Sequence, residues 1–142
     1  MKTEHLHDIW AGPDNTRLTS KQFSFRFPVH IAAKIATLCE MYPTKNRTQI
    51  VADLLTAALD DLEKNLPEEM GGELTGEDRN IEQMIAKHEG YEFEPSYWIA
   101  GPRARFRNTA NRHYLDLEKE LGNEKPEPLY ADISRTESAF KK

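Results

Sequence analysis

Gln22, Ser24 and Arg26 stand two residues apart, and Lys21, Phe23, Phe25 and Phe27 fill the alternate places. Side chains of an extended chain switch faces at every residue, so this run has an aromatic face and a polar face. The polar face carries the candidate chemistry. Gln and Arg are the side chains best suited to two-point hydrogen bonding with base edges in the major groove of DNA, and that groove admits a two-stranded ribbon. Pro28 ends the run and suits the first turn of a helix, where its missing N–H costs nothing. The lone strand has no pairing partner in the helical sequence that follows, and would leave a row of backbone donors and acceptors open. Pairing with the same strand of a second copy about a two-fold axis is the simplest remedy.

The residues behind this strand must hold it. Ile31, Ile35, Leu38 and Tyr42 recur at helical spacing, which predicts a first helix over 29–42. Cys39 lies beside that stripe and reads as a small apolar residue, since no Cys–His pair adjoins it. Pro43-Thr44-Lys45 breaks the helix. Asn46 and Gln49 then form a capping-box pattern that opens a second helix over 47–65. Its apolar positions (Ile50, Val51, Leu54, Leu55, Ala58, Leu59, Leu62) make a stripe too wide for a surface helix of so small a unit. That width predicts burial against a second copy as well as its own chain. The uncapped N–H groups at the helix start, with Lys45 and Arg47 beside them, form a ready phosphate site.

Residues 21–64 resemble the ribbon-helix-helix family of DNA-binding proteins, the Arc and MetJ type, and the run from Gln22 to Pro28 is similar to the Arc ribbon itself. The resemblance covers 44 of 142 residues. It implies a mainly α fold built on an obligate homodimer whose intermolecular antiparallel β-ribbon enters the major groove of double-stranded DNA. It assigns base contacts to Gln22, Ser24 and Arg26, and backbone phosphate contacts to Asn46, Arg47 and Thr48, with Lys21 and Lys45 adjoining. Two dimers side by side on repeated half-sites are usual in the family.

Charge is distributed in keeping with such a footprint. The net charge is −5, but residues 17–50 hold six Lys or Arg against Glu40 alone. Residues 51–100 hold three basic and thirteen acidic side chains, so the acidity lies away from the ribbon. With 38% hydrophobic and 30% charged residues the chain has the composition of a folding, soluble protein. Its apolar runs are too short to span a bilayer and no signal sequence opens it, so no membrane association is expected. A single cysteine excludes an internal disulfide and fits a reducing cytoplasm. No phosphate-cradling glycine loop, no metal-ligand spacing and no nucleophile with a nearby base is present, so neither enzymatic activity nor a cofactor is expected.

Residues 1–20 lack sustained periodicity, contain the turn signal Gly12-Pro13-Asp14-Asn15, and are expected to form a flexible arm. His5, His7 and Asp8 are too few for a defined metal site and read as part of a solvated tail. Residues 66–75, rich in Glu and Gly, read as a linker. A helical C-terminal region is expected over 76–122. Thr75 and Asp78 form a second capping-box pattern, Ile81, Met84, Ile85 and His88 share a face, and Gly90 terminates. Residues 91–100 concentrate aromatics, with Pro95 interrupting any continuous strand. Beyond Gly101-Pro102, Ala110, Tyr114, Leu117 and Leu121 line a further helix, headed by Arg103, Arg105, Arg107 and Arg112. That basic patch, interleaved with Trp98 and Phe106, is a candidate second contact for nucleic acid or for an acidic partner. Residues 123–142, rich in Pro, Glu, Lys and Ser, are expected to be a disordered tail.

The reading is a sequence-specific, dimeric DNA-binding transcription regulator, most simply a repressor, with an aromatic C-terminal region that assembles dimers or meets a protein partner. The competing reading is an antitoxin whose ribbon-helix-helix part regulates its own gene while the C-terminal segment masks a toxin.

Overall fold

A computed structural model describes residues 2–11 and 17–140. The Gly12–Asn15 turn signal falls outside them. The chain divides into two compact units, the first ending at Lys64 and the second beginning at Asn65. The architecture is 58% helical with a small three-stranded antiparallel sheet.

In the first unit a 3-10 turn over Thr3–His5 runs into α1, Leu6–Trp10. Helix α2 spans Val29–Met41, capped by Pro28, and α3 spans Arg47–Asn65. Leu6 and Trp10, each only 4% exposed, join Ile50 and Ala57 in the core, with Leu38, Cys39, Tyr42 and Leu54 packed around them. The indole Nε1–H of Trp10 donates to Asp53 Oδ2 at 2.7 Å, and His7 Nδ1 lies 2.6 Å from Tyr42 Oη. The expectation of a solvated arm is therefore corrected for residues 2–11. A five-residue helix is too short to show a period, yet two large apolar side chains at i and i+4 suffice to dock it. His7 is engaged with Tyr42 and His5 Nε2 lies 3.4 Å from Glu4, so these histidines serve local contacts.

Docking of α1 also explains part of the wide stripe on α3. Ile50, Leu54 and Ala57 turn toward Leu6 and Trp10, whereas Leu55, Leu59 and Leu62 remain exposed on the single chain.

The second unit is built on β1 (Glu69–Glu73), β2 (Ser96–Ala100) and β3 (Ser134–Thr136), hydrogen-bonded in that order and all antiparallel. Two expectations fail here. The stretch 66–75 is not a linker, because Glu69 pairs with Ala100 and Met70 with Ile99. Nor is 123–140 a disordered tail: Tyr97 pairs with Arg135 and Trp98 with Ser134, and a last turn of helix, α6, spans Glu137–Phe140. The glycines that read as flexibility mark an irregularity in the ladder between Met70 and Glu73. A Cβ on Gly71 would come within 2.7 Å of the Trp98 carbonyl oxygen, so only glycine lets the two backbones approach there.

Helix α4, Gly76–Glu89, ends as expected at Gly90, which adopts φ 79° and donates its N–H to Ala86 O. At its start Thr75 makes no side-chain cap hydrogen bond, so the second capping box does not form. Helix α5, Gly101–Glu120, carries Pro102 in its first turn and buries Ala104. Among the described residues no helix is long and apolar enough to cross a membrane.

Candidate nucleic-acid interface

Residues 22–28 belong to no helix and to no strand ladder of the described chain. The rings of Phe23 and Phe25 lie parallel within 4° at 6.4 Å, and those of Phe25 and Phe27 are 6.5 Å apart. Rings two residues apart can stack this way only when the backbone alternates, so the aromatic face expected from the pattern is present. It is uncovered: Phe23, Phe25 and Phe27 are 64, 68 and 45% exposed. Gln22, Ser24 and Arg26 occupy the alternate positions and are exposed too.

The helix start is held by reciprocal bonds. Gln49 N–H donates to Asn46 Oδ1 at 2.8 Å, and Asn46 N–H donates to Gln49 Oε1 at 3.1 Å. The capping box fixes the first turn of α3 and leaves Arg47 and Thr48 exposed beside it, with Lys45 half-buried one residue ahead of the cap. Lys21, also exposed, donates its backbone N–H to Thr19 Oγ1 at 3.3 Å in a local turn. The candidate phosphate ligands Lys45, Asn46, Arg47 and Thr48 are thus consecutive at one helix terminus, where the macrodipole favours an anion.

Arg47 has a second surrounding that the sequence did not disclose. It lines an apolar hollow of about 260 Å³ together with Phe27, Ala32, Ile35, Ala36 and Val51. One end of the aromatic ribbon face therefore opens onto a gap between α2 and α3, walled by small and branched apolar side chains.

The arginine group of α5 divides. Arg103 pairs with Glu68, and its backbone N–H donates to Pro67 O at 3.1 Å. Arg107 Nη2 donates to Ala131 O at 2.6 Å, with its guanidinium 4.5 Å above the Tyr130 ring. Asn111, one turn on, clasps the backbone of Tyr130 from both sides, accepting its N–H at 2.7 Å and donating to its carbonyl at 3.0 Å. Arg103 and Arg107 thus tie α5 to the strands and the C-terminal segment. Arg105 and Arg112, seven residues apart on one side of the helix, are exposed. The expected patch of four arginines is reduced to two on the outer surface, because the other two have internal acceptors. The signal for this was in the tail, whose Tyr130 and Arg135 could not be matched to partners from spacing alone.

Glu68 sits beneath this arrangement, gripped by Arg135 through Nε to Oε2 at 2.7 Å and Nη2 to Oε1 at 2.9 Å, and by Arg103 from the other side. The Arg135 hydrogen bonds, with help from Arg103, hold its carboxyl below the usual glutamate range despite the opposing effect of burial. The same pairing raises Arg135. A shallow cavity of about 290 Å³ lies beside α5, walled by Trp98, Arg107, Asn108, Asn111, Asp132 and Ile133. Arg107 and Asn111 already spend polar atoms on residues 130 and 131 there.

No family model matches the chain, and comparison with curated proteins and with solved structures gave no match.

Proposed function

We propose that the protein is a sequence-specific DNA-binding transcription regulator of the ribbon-helix-helix type, most simply a repressor. The observation that carries this reading is the uncovered aromatic face of Phe23, Phe25 and Phe27 on a segment without a ladder partner among the described residues. Three adjacent exposed phenylalanines are costly to leave in water, at about 1.5–3 kcal/mol for each side chain that could be fully buried. A second copy offering the same segment antiparallel closes the backbone hydrogen bonds, and the helices it brings with it supply apolar surface to lie under the joined aromatic faces. The exposed Leu55, Leu59 and Leu62 of α3 supply further apolar surface for the same association.

In the resulting ribbon, Gln22, Ser24 and Arg26 of both copies face the major groove and read base edges. The start of α3 grips a phosphate with its open N–H groups and with Lys45, Arg47 and Thr48, and Lys21 adds charge at the ribbon end. Base contacts set the sequence and phosphate contacts set the register. The test is DNA binding by single variants. Arg26→Ala should relax sequence preference while retaining general affinity. Arg47→Ala should weaken binding to all sequences and shallow its salt dependence.

A further inference from the structure

Helix α4 is amphipathic the wrong way round for a helix serving only its own unit. Arg79 and Ala86, seven residues apart, mark its inward side. Ala86 is buried, and Arg79 reaches Glu73 at 3.7 Å and the Phe93 ring at 5.5 Å. Ile81, Met84 and Ile85 lie about 110–150° around the helix from that side. They are 48, 70 and 47% exposed. Asp78, Glu82 and Glu89 run along one flank of this apolar stripe, Glu77 stands at its head and His88 at its foot, and Asn80 and Lys87 occupy the other flank, which carries no acidic residue.

We propose that this face of α4 docks an amphipathic helix of another protein, apolar along its contact stripe and lysine- or arginine-rich along one flank. The charge pattern selects the occupant. Packed antiparallel on a second copy of itself about a two-fold axis, α4 would bring its Asp78–Glu82–Glu89 flank against the same flank of the other copy. A basic flank instead faces opposite charge along the full helix, and charges beside an apolar seam are what choose between partners. The surface belongs to the second unit and is independent of the ribbon reading, so DNA binding and partner binding can fail separately.

The test uses the full chain and a synthetic amphipathic helix of about 18 residues, leucines at spacings of three and four with lysines along one flank. A control peptide carries glutamates in place of the lysines. Titrations by fluorescence anisotropy should show the lysine peptide binding at least tenfold more tightly than the glutamate peptide. Met84→Lys should weaken the lysine peptide at least tenfold while circular dichroism and DNA selection stay unchanged, since Met84 is the most exposed residue of the stripe. Arg26→Ala should leave peptide binding as it was. Equal binding of the two peptides, binding indifferent to Met84→Lys, or no binding at millimolar peptide would each overturn the proposal. So would a fall in the sedimenting mass of the peptide-free chain on Met84→Lys, which would assign the face to a second copy.

Discussion

Arg135 grips Glu68 across 67 residues of sequence, Nε to Oε2 at 2.7 Å and Nη2 to Oε1 at 2.9 Å, and so fastens the end of the chain to the segment just before β1. Arg103 closes on the same carboxylate from the start of α5. Three separate stretches of the second unit thus meet on one side chain. Glu68→Gln keeps the shape but removes the charge that two guanidinium groups share, and should cost about 1–3 kcal/mol, between the values for exposed and for fully buried pairs because solvent reaches Arg135. The pH dependence follows from the lowered carboxyl. Its stabilisation is fully present above the ordinary glutamate range and is lost as pH falls through the depressed folded value. Urea midpoints of wild type and Glu68→Gln should therefore converge in acid and separate toward neutrality; a constant gap would contradict the assignment.

Gly71→Ala tests the close approach of β1 to β2. The added Cβ would stand 2.7 Å from the Trp98 carbonyl oxygen and 3.3 Å from Ala100 Cβ, and a strand backbone cannot swing aside as a flexible side chain can. A loss of about 1–3 kcal/mol is expected in thermal unfolding. Gly72→Ala, with nothing within 4 Å of its added Cβ, should be close to neutral by comparison.

The paired glycines show why the second unit was poorly legible. Glu-Met-Gly-Gly-Glu has the composition of a linker, and its partner strand lies some way down the chain behind a helix. β3 is only three residues long and sits in a Pro- and Glu-rich stretch. Short strands of this kind carry no period of their own; they form because Ser96–Ala100 offers a central strand with edges on both sides. Local signals fared better. The stripe and Pro28 gave α2 to within a residue, Asn46 and Gln49 gave the start of α3, and Gly90 gave the end of α4. In the candidate interface the alternation of Phe23, Phe25 and Phe27 was readable from period two alone. The hollow beside Arg47 was not, because it depends on how α2 and α3 pack.

Trp10 should matter to stability far more than its place near the start of the chain implies. Trp10→Ala removes a nearly buried indole from the core of a small unit and should cost about 3–5 kcal/mol, comparable with the whole stability of such a unit. Trp10→Phe keeps most of the apolar contact but gives up the bond to Asp53, at about 1 kcal/mol. Helical circular dichroism in urea is the suitable readout, since Trp98 of the second unit would dominate the remaining fluorescence. A Trp10→Ala chain as stable as wild type would mean that α1 is not docked.

The capping box at α3 gives a smaller, local effect. Asn46→Ala should lower the stability of the first unit by about 1 kcal/mol, because the Gln49 N–H loses its acceptor at the helix start. Asn46→Asp should retain the cap, and thermal melts followed by circular dichroism separate the two. If both variants melt alike, the reciprocal bonds contribute nothing and the helix start is held by packing.

The proposed DNA reading by the ribbon face rests on Gln22, Ser24 and Arg26. The most direct measurement selects genomic DNA fragments on purified full-length protein, in parallel with a variant carrying Gln22→Ala, Ser24→Ala and Arg26→Ala. The three side chains are exposed, so the variant should fold and associate as wild type does. The expected result is a short motif, repeated at regular spacing, enriched by the wild type alone. Enrichment of the same motif by both proteins, or of none by a folded wild-type dimer, would rule out base reading by these three side chains.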